Sequence, residues 1–310
     1  MYHHAYTTGV HANAITDKAS YLKTNNTKAK TALDALDAST ALQPRNQYGG
    51  YWYFHYPNWS YLDGMYSLVP FLTYYTAHFD GDHASAAADE IIHQLDLLWM
   101  HCRQNTTGLL VHAYDASSPP EKKASWADPD TGASGFAWGR SLGWYFMSLV
   151  DTLELLASSP VAFPEKLQRY LHTRFVELAD AVYAAADRKT GCWWQVMEFP
   201  AREGNYIESS ASAMFTYALH KGVRLGYLSG PDAGKDLGYR YTNLAEKCYA
   251  HLVEDFVVEN GNGTLGYNGT VGVCSMDSEA TYEVSLFSFV LLRDGDANMA
   301  LVLCLAAFAV

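Results

Sequence analysis

Apolar side chains return every three or four residues through one segment after another of this chain, and that recurrence restricts its architecture more than any other feature. In the centre of the sequence the pattern is carried by Leu142, Tyr145, Phe146, Leu149, Leu153 and Leu156. Residues 84–102 carry Ile91, Leu95 and Leu98 on one stripe, and Leu167, Leu171, Phe175, Leu178 and Val182 form another behind Pro164. Ala211, Phe215, Ala218, Leu219 and Val223 follow, then Leu244, Cys248, Leu252 and Phe256 at strict four-residue steps. An earlier segment places Leu62, Tyr66, Val69, Leu72 and Tyr75 on one face, with Ser60 as its expected N-cap and a kink expected at Pro70. Residues 5–22 and 26–41 read as two short helices, the second Ala-rich and broken near Pro44. Helices at roughly equal spacing predict an all-α fold of antiparallel hairpins whose loops open on a common face. No boundary divides residues 1–310, so a single domain is expected.

The residues with chemistry to offer gather on alternate connections. Gly49 to Pro57 is an aromatic loop containing Trp52 and His55, which no regular helix accommodates. Asp63 falls in the first turn of the helix that follows, where an acid either performs chemistry or simply steadies the helix dipole. Residues 108–111 form a short extended piece presenting His112. The loop beyond it reads Trp126-Ala-Asp128-Pro-Asp130-Thr-Gly132, then Trp138-Gly-Arg140-Ser-Leu-Gly143-Trp144-Tyr145. Arg140 and Trp144, four apart, share one helix face, which sets a cation beside a flat apolar ring. Carboxylates, imidazole, indoles and an arginine delivered onto a helix start compose a carbohydrate site. The alternative for Arg140 is an ion pair with Asp115, Asp128 or Asp130. Trp193 to Val196 reads as extended, residues 260–272 as a Gly/Asn loop, and the chain from Val284 as largely apolar.

A formal net charge of −12 argues against nucleic acid or an anionic membrane as partner, so an anionic substrate requires a locally basic site. No apolar stretch is long enough to span a bilayer, and no secretory leader is visible at Met1. His3, His4 and His11 lack the company of carboxylates or cysteines and read as solvated or core residues, and neither a metal nor an organic cofactor is expected. The five cysteines are scattered without metal-ligand spacing and are expected to be buried thiols. Five Asn-x-Ser/Thr sequons, at Asn25, Asn58, Asn105, Asn262 and Asn268, lean towards an extracellular rather than a cytoplasmic protein. Dinucleotide and P-loop glycine patterns, a nucleophile elbow and HExxH are all missing.

Three motifs together carry a family resemblance: His112-x-x-Asp115, then Trp126-Ala-Asp-Pro-x-Thr-Gly-x-Ser, then Trp138-x-Arg140-x-x-Gly-Trp144-Tyr-x-Met-x-Leu-Val-Asp. With them, residues 50–230 resemble the unsaturated rhamnogalacturonyl hydrolases, glycoside hydrolase family 105, relatives of the family 88 unsaturated glucuronyl hydrolases. The resemblance implies an (α/α)6 barrel with its site at one mouth. Tyr56-Pro57-x-x-x-Tyr61-Leu-Asp63-Gly-Met-Tyr66 matches the segment holding that family's proposed general acid/base, which implies that role for Asp63. Matching positions imply substrate binding by His112 and a pocket for the unsaturated sugar lined by Arg140 and Trp144, with Trp138 as the aromatic before the arginine. Three departures stand out. Trp52-Tyr53-Phe54-His55 occupies the place of the family's Trp-His-Lys, so a basic contact is lost or shifted to His55, and Tyr61 replaces a tryptophan. The family's second, supporting aspartate has no match; Asp34 and Asp37 are merely nearby in sequence. The Trp193-Trp194-Gln195-Val196 and Gly204-Asn205-Tyr206-x-Glu208-x-Ser-x-Ser212 pieces are family hallmarks expected to be structural.

The activity so implied is removal of a 4,5-unsaturated galacturonyl residue from rhamnogalacturonan oligosaccharides. One carboxyl group that gives a proton to C4 and then takes one from the water adding at C5 serves both halves of the hydration. Three alternatives remain beside it: an unsaturated glucuronyl hydrolase, an inverting α/α-barrel glycosidase pairing Asp63 with Asp115 or Asp128, and an inactive carbohydrate-binding homologue. The sequence does not give the oligomeric state.

Overall fold

A computed structural model describes residues 27–229, 236–271 and 276. The helix expected over 5–22, the three N-terminal histidines, Asn25, Cys274, Cys304 and the apolar segment from Val284 lie outside the described residues. The described part contains seven α-helices: α1 (Thr27–Ala41), α2 (Asp63–Phe79), α3 (Ala84–Cys102), α4 (Gly139–Ala157), α5 (Glu165–Ala185), α6 (Ser209–Arg224) and α7 (Asp236–Phe256). Four three-residue strands accompany them: β1 (Trp59–Tyr61) pairs antiparallel with β2 (Ala113–Asp115), and β3 (Val257–Glu259) with β4 (Leu265–Tyr267). Among the described residues no helix is long and apolar enough to cross a membrane.

Packing sorts the helices into two layers. Helices α2, α4 and α6 lie side by side in succession, while α3, α5 and α7 each cover the preceding member of that inner row. The amino-acid pattern explains the assignment. In α4, every residue from Ser141 to Leu153 is buried, so the helix is covered on all sides. In α5 only Leu167, Leu171, Phe175, Leu178, Ala179, Ala181 and Val182 are buried, the single stripe of an outer helix. Close approach within the inner row depends on glycine: a Cβ at Gly139 would stand 2.9 Å from Ala211 Cβ, and one at Gly143 2.7 Å from Met214 Sδ.

Several local expectations change. Ser60 is not a helix cap but the middle of β1, where its hydroxyl donates to Tyr51 O; α2 begins three residues later at Asp63 without a side-chain cap. Pro70 does lie inside α2. The Gly/Asn-rich loop contains strand β4, because Asn260-Gly-Asn-Gly supplies the tight turn that lets 257–259 and 265–267 pair. Of the cysteines expected as thiols, Cys192 and Cys248 instead form a disulfide, which ties the loop before α6 to α7; Cys102 is a free, buried thiol. Those two cysteines are 56 residues apart, and spacing alone could not reveal that helix packing sets them side by side.

Candidate active site

The pairing of β1 with β2 builds the centre of the site. Its register sets Tyr61 opposite Ala113, and the ladder continues through Leu62 N–H donating to His112 O at 3.1 Å. Two positions that are 49 apart in sequence therefore meet: His112 Nε2 stands 3.0 Å from Asp63 Oδ2. The next inner helix adds a second contact, as Ser141 Oγ donates to the same Oδ2 at 2.5 Å. Asp63 thus sits in the first turn of α2, clasped by His112 just ahead of β2 and by the first turn of α4.

Rings brace this pair. Tyr61 meets His112 edge-on at 5.0 Å and stacks on Tyr53 at 4.5 Å, and Trp138 leans on the other part of the imidazole at 5.0 Å. The backbone of Trp138 is in turn bridged to Val196, and Gly139 N–H donates to Gln195 O at 3.0 Å, so the extended 193–196 piece sets where α4 starts. His112 is only 4% exposed, whereas the Asp63 side chain keeps 22% of its surface in solvent. Substrate can reach the carboxyl but not displace the imidazole.

Burial pushes the Asp63 carboxyl up, but the His112 imidazole, the hydrogen bonds from His112 and Ser141, and the Arg140 guanidinium together outweigh it and hold the group below its ordinary value. Arg140 therefore shares the neighbourhood of Asp63. Its guanidinium also donates to Val271 O at 2.5 Å. Of the three acids considered as its ion-pair partners, Asp130 is exposed, while Asp115 accepts from Ser117 N–H and Ala124 N–H, and Asp128 from the N–H groups of Asp130 and Thr131. The carboxyls of Asp115 and Asp128 fold the 113–132 loop.

The remaining expected site residues are more scattered. Trp144 is 8% exposed and its ring tilts against Tyr66 in the main core, one helical turn below Arg140. His55 is exposed at the turn of the aromatic loop beside Phe54 and Tyr56, and Trp52 is half-buried next to it. Neither hydrogen-bonds to Asp63 or Arg140. Asp34 and Asp37 lie at the other end of the inner row, since Asp34 accepts from Tyr75 near the end of α2, about 18 Å along the helix from Asp63. Neither stands in for a supporting aspartate. Two residues the sequence reading left unassigned belong to the site. Ser141 sits inside the Trp-x-Arg-x-x-Gly motif, one position past the arginine. Tyr53, whose hydroxyl is raised by burial and then by the Asp63 charge, announces itself only as one ring among many.

Chemically, the described residues offer one accessible carboxyl with a fixed imidazole and hydroxyl on one oxygen, a guanidinium alongside, and the N-termini of α2, α4 and α6 at one mouth. Helix N-termini and arginine both favour an anion there.

The profile of Glycosyl Hydrolase Family 88 matches residues 8–288. Protein Atu3128 of Agrobacterium fabrum is 34% identical over 171 residues, covering 54% of this chain and 66% of that protein. The chain therefore spans just under two thirds of the length of that relative. Among solved structures, the C. acetobutylicum glycoside hydrolase from family 105 superposes with a TM-score of 0.72 at 30% identity, over 86% of this chain and 69% of that one. A possible family 105 member from Salmonella enterica gives a TM-score of 0.70 at 21% identity, over 93% and 68% of the two chains. The inner and outer helical layers described above are thus those of the α/α toroid.

Proposed function

We propose, from the premise that this chain belongs to Glycosyl Hydrolase Family 88, that it is a glycosidase which removes a 4,5-unsaturated uronyl residue by hydrating its double bond. The finer assignment is an unsaturated galacturonyl residue at the end of a rhamnogalacturonan oligosaccharide. The observation that carries the reading is Asp63, among the described residues the one carboxyl set at the mouth between His112, Ser141 and the charge of Arg140. An inverting glycosidase needs a second carboxyl across the bond to activate water. Here Asp115 and Asp128 are consumed in turns, and Asp34 and Asp37 are remote. Hydration of an enol ether requires only one.

In this scheme Arg140 receives the substrate carboxylate, for which a guanidinium is the matching donor. Binding that anion offsets one of the positive charges that hold Asp63 low, so its affinity for a proton rises as substrate arrives. Asp63 then protonates C4, water adds at C5 and returns its proton to Asp63, and the resulting hemiketal opens to release the aglycone. His112 and Ser141 fix the oxygen that does not face the sugar. The rings of Tyr53, Tyr56 and Trp59 beside the mouth suit a sugar face. The Cys192–Cys248 disulfide, with exposed sequon asparagines at 105 and 262, supports an extracellular setting.

The test follows the ultraviolet absorbance of the conjugated alkene in rhamnogalacturonan-lyase products. Loss of absorbance with wild type, absent with Asp63→Asn, is the expected result. Sugar release with absorbance intact would instead mark an ordinary glycosidase, and binding without either change a lectin-like protein.

A further inference from the structure

Glu208 stands immediately before α6 and is 0% exposed. Its carboxyl accepts from Ala211 N–H at 2.6 Å, so it is the N-cap of that helix. Short side chains ordinarily fill that position, because Ser, Thr, Asp or Asn already reaches the N2 and N3 amides. The longer glutamate reaches further. Ser210 Oγ donates to both oxygens at 2.8 and 2.9 Å, and Oε1 also accepts from Val271 N–H at 2.8 Å.

The peptides on either side of Val271 connect this carboxyl to the candidate site. The amide of Val271 points to Glu208, and its carbonyl accepts from Arg140 Nη1 at 2.5 Å. Val271 is 1% exposed, so this link runs out of contact with bulk water, where an unmade bond is costly. The same segment is clamped to the start of α6 by three further bonds. Tyr267 OH donates to Ser209 O at 3.1 Å, Ser209 N–H to Gly269 O at 3.0 Å, and Ser209 Oγ to Asn268 O at 2.7 Å. A residue 68 positions beyond Arg140 in sequence thereby holds one edge of its guanidinium fork.

We propose that Glu208 is a positioning residue: through Val271 it fixes the orientation of Arg140, and so sets the preference of the site for a free carboxylate over a neutral ester at C6 of the unsaturated sugar. This rests on the reading above that Arg140 receives the substrate carboxylate. A guanidinium discriminates a carboxylate from an ester by paired, directional hydrogen bonds, and a fork free to swing loses that pairing before it loses its charge. The glutamate of the Gly-Asn-Tyr-x-Glu-x-Ser-x-Ser piece thus acts on specificity as well as capping a helix.

The experiment compares kcat/KM on an unsaturated galacturonyl oligosaccharide and on its methyl ester, for wild type, Glu208→Gln, Ser209→Ala and Ser210→Ala, with thermal melts of each. Ser209→Ala loosens the same segment without touching the cap carboxyl. Ser210→Ala removes a bond to that carboxyl without touching the segment. The expected result is a wild type that prefers the acid, an acid-to-ester ratio reduced about tenfold in Glu208→Gln, chiefly through KM for the acid, a smaller reduction in Ser209→Ala, and an unchanged ratio in Ser210→Ala. Should Glu208→Gln fail to fold, Ser209→Ala against Ser210→Ala decides. The proposal is overturned if the ratio is unchanged in the folded segment-loosening variants, or if Ser210→Ala lowers it equally. A wild type that turns over acid and ester alike would overturn the Arg140 assignment and this proposal together, whereas a discriminating wild type with unchanged variants overturns this one alone.

Discussion

At the scale of single residues, the proposed scheme gives the chemistry to Asp63, and its surroundings supply what a single carboxyl would need. His112 and Ser141 both bind Oδ2, and in the proposed scheme the carboxyl's other oxygen serves the substrate. Asp63→Asn preserves shape but removes the proton shuttle, and turnover is expected to fall by about 10²–10⁴-fold with KM little changed, as read in steady-state alkene loss. The same environment links Asp63 to stability. Its folded-state affinity for protons lies below the ordinary value of 3.8, so its ionisation favours the folded state above that pH, and the contribution is lost as pH falls through and below it. Denaturant melts at pH 6 and pH 3 check the sign: the stability of wild type over Asp63→Asn is expected to shrink at the lower pH. Asp63, His112, Arg140, Tyr61 and Trp138 were legible in the sequence, through motif resemblance. Ser141 and Glu208 were in plain view inside quoted motifs, yet a serine among helix residues and a glutamate among serines give no signal until a partner 78 or 63 positions away is known.

At the scale of elements, periodicity located the helices well. The stripe with Ile91, Leu95 and Leu98 is α3, Pro164 does precede α5, and the 26–41 segment is α1. Ser60 misled because a serine ahead of an apolar run is the ordinary mark of a cap, while here cross-strand pairing with Tyr114 claims it for β1. What distinguishes inner from outer helices, and so brings three N-termini to one mouth, is how much of the circumference is apolar. The spacing of α4 and α6 adds a demand that only glycine meets at their start. Gly139→Ala puts a methyl against Ala211 Cβ and the Trp194 carbonyl, neither of which has a flexible end to yield. A loss of about 1–3 kcal/mol is expected in equilibrium unfolding, with activity reduced because Arg140 is the next residue.

For the molecule as a whole, the Cys192–Cys248 bond links the loop that places Trp193 and Gln195 to helix α7, across 56 residues. A closed loop of that length is worth about 4 kcal/mol on the chain-entropy account. Cys248→Ser, or reduction of the wild type, is expected to lower the melting temperature by several degrees, and the reduced wild type to melt like the variant. A wild type indifferent to reductant would show that the bond does not form. The apolar periodicity fixed the helical class of this chain, and its motifs pointed to a family and to most of the site, because both signals are local and survive in one dimension. Which cysteines pair, which acids merely fold a loop, and which backbone carbonyl steadies Arg140 were decided only by the tertiary packing of the helices and their loops. Those contacts join residues tens of positions apart, and their energies depend on distances that no spacing along the chain encodes.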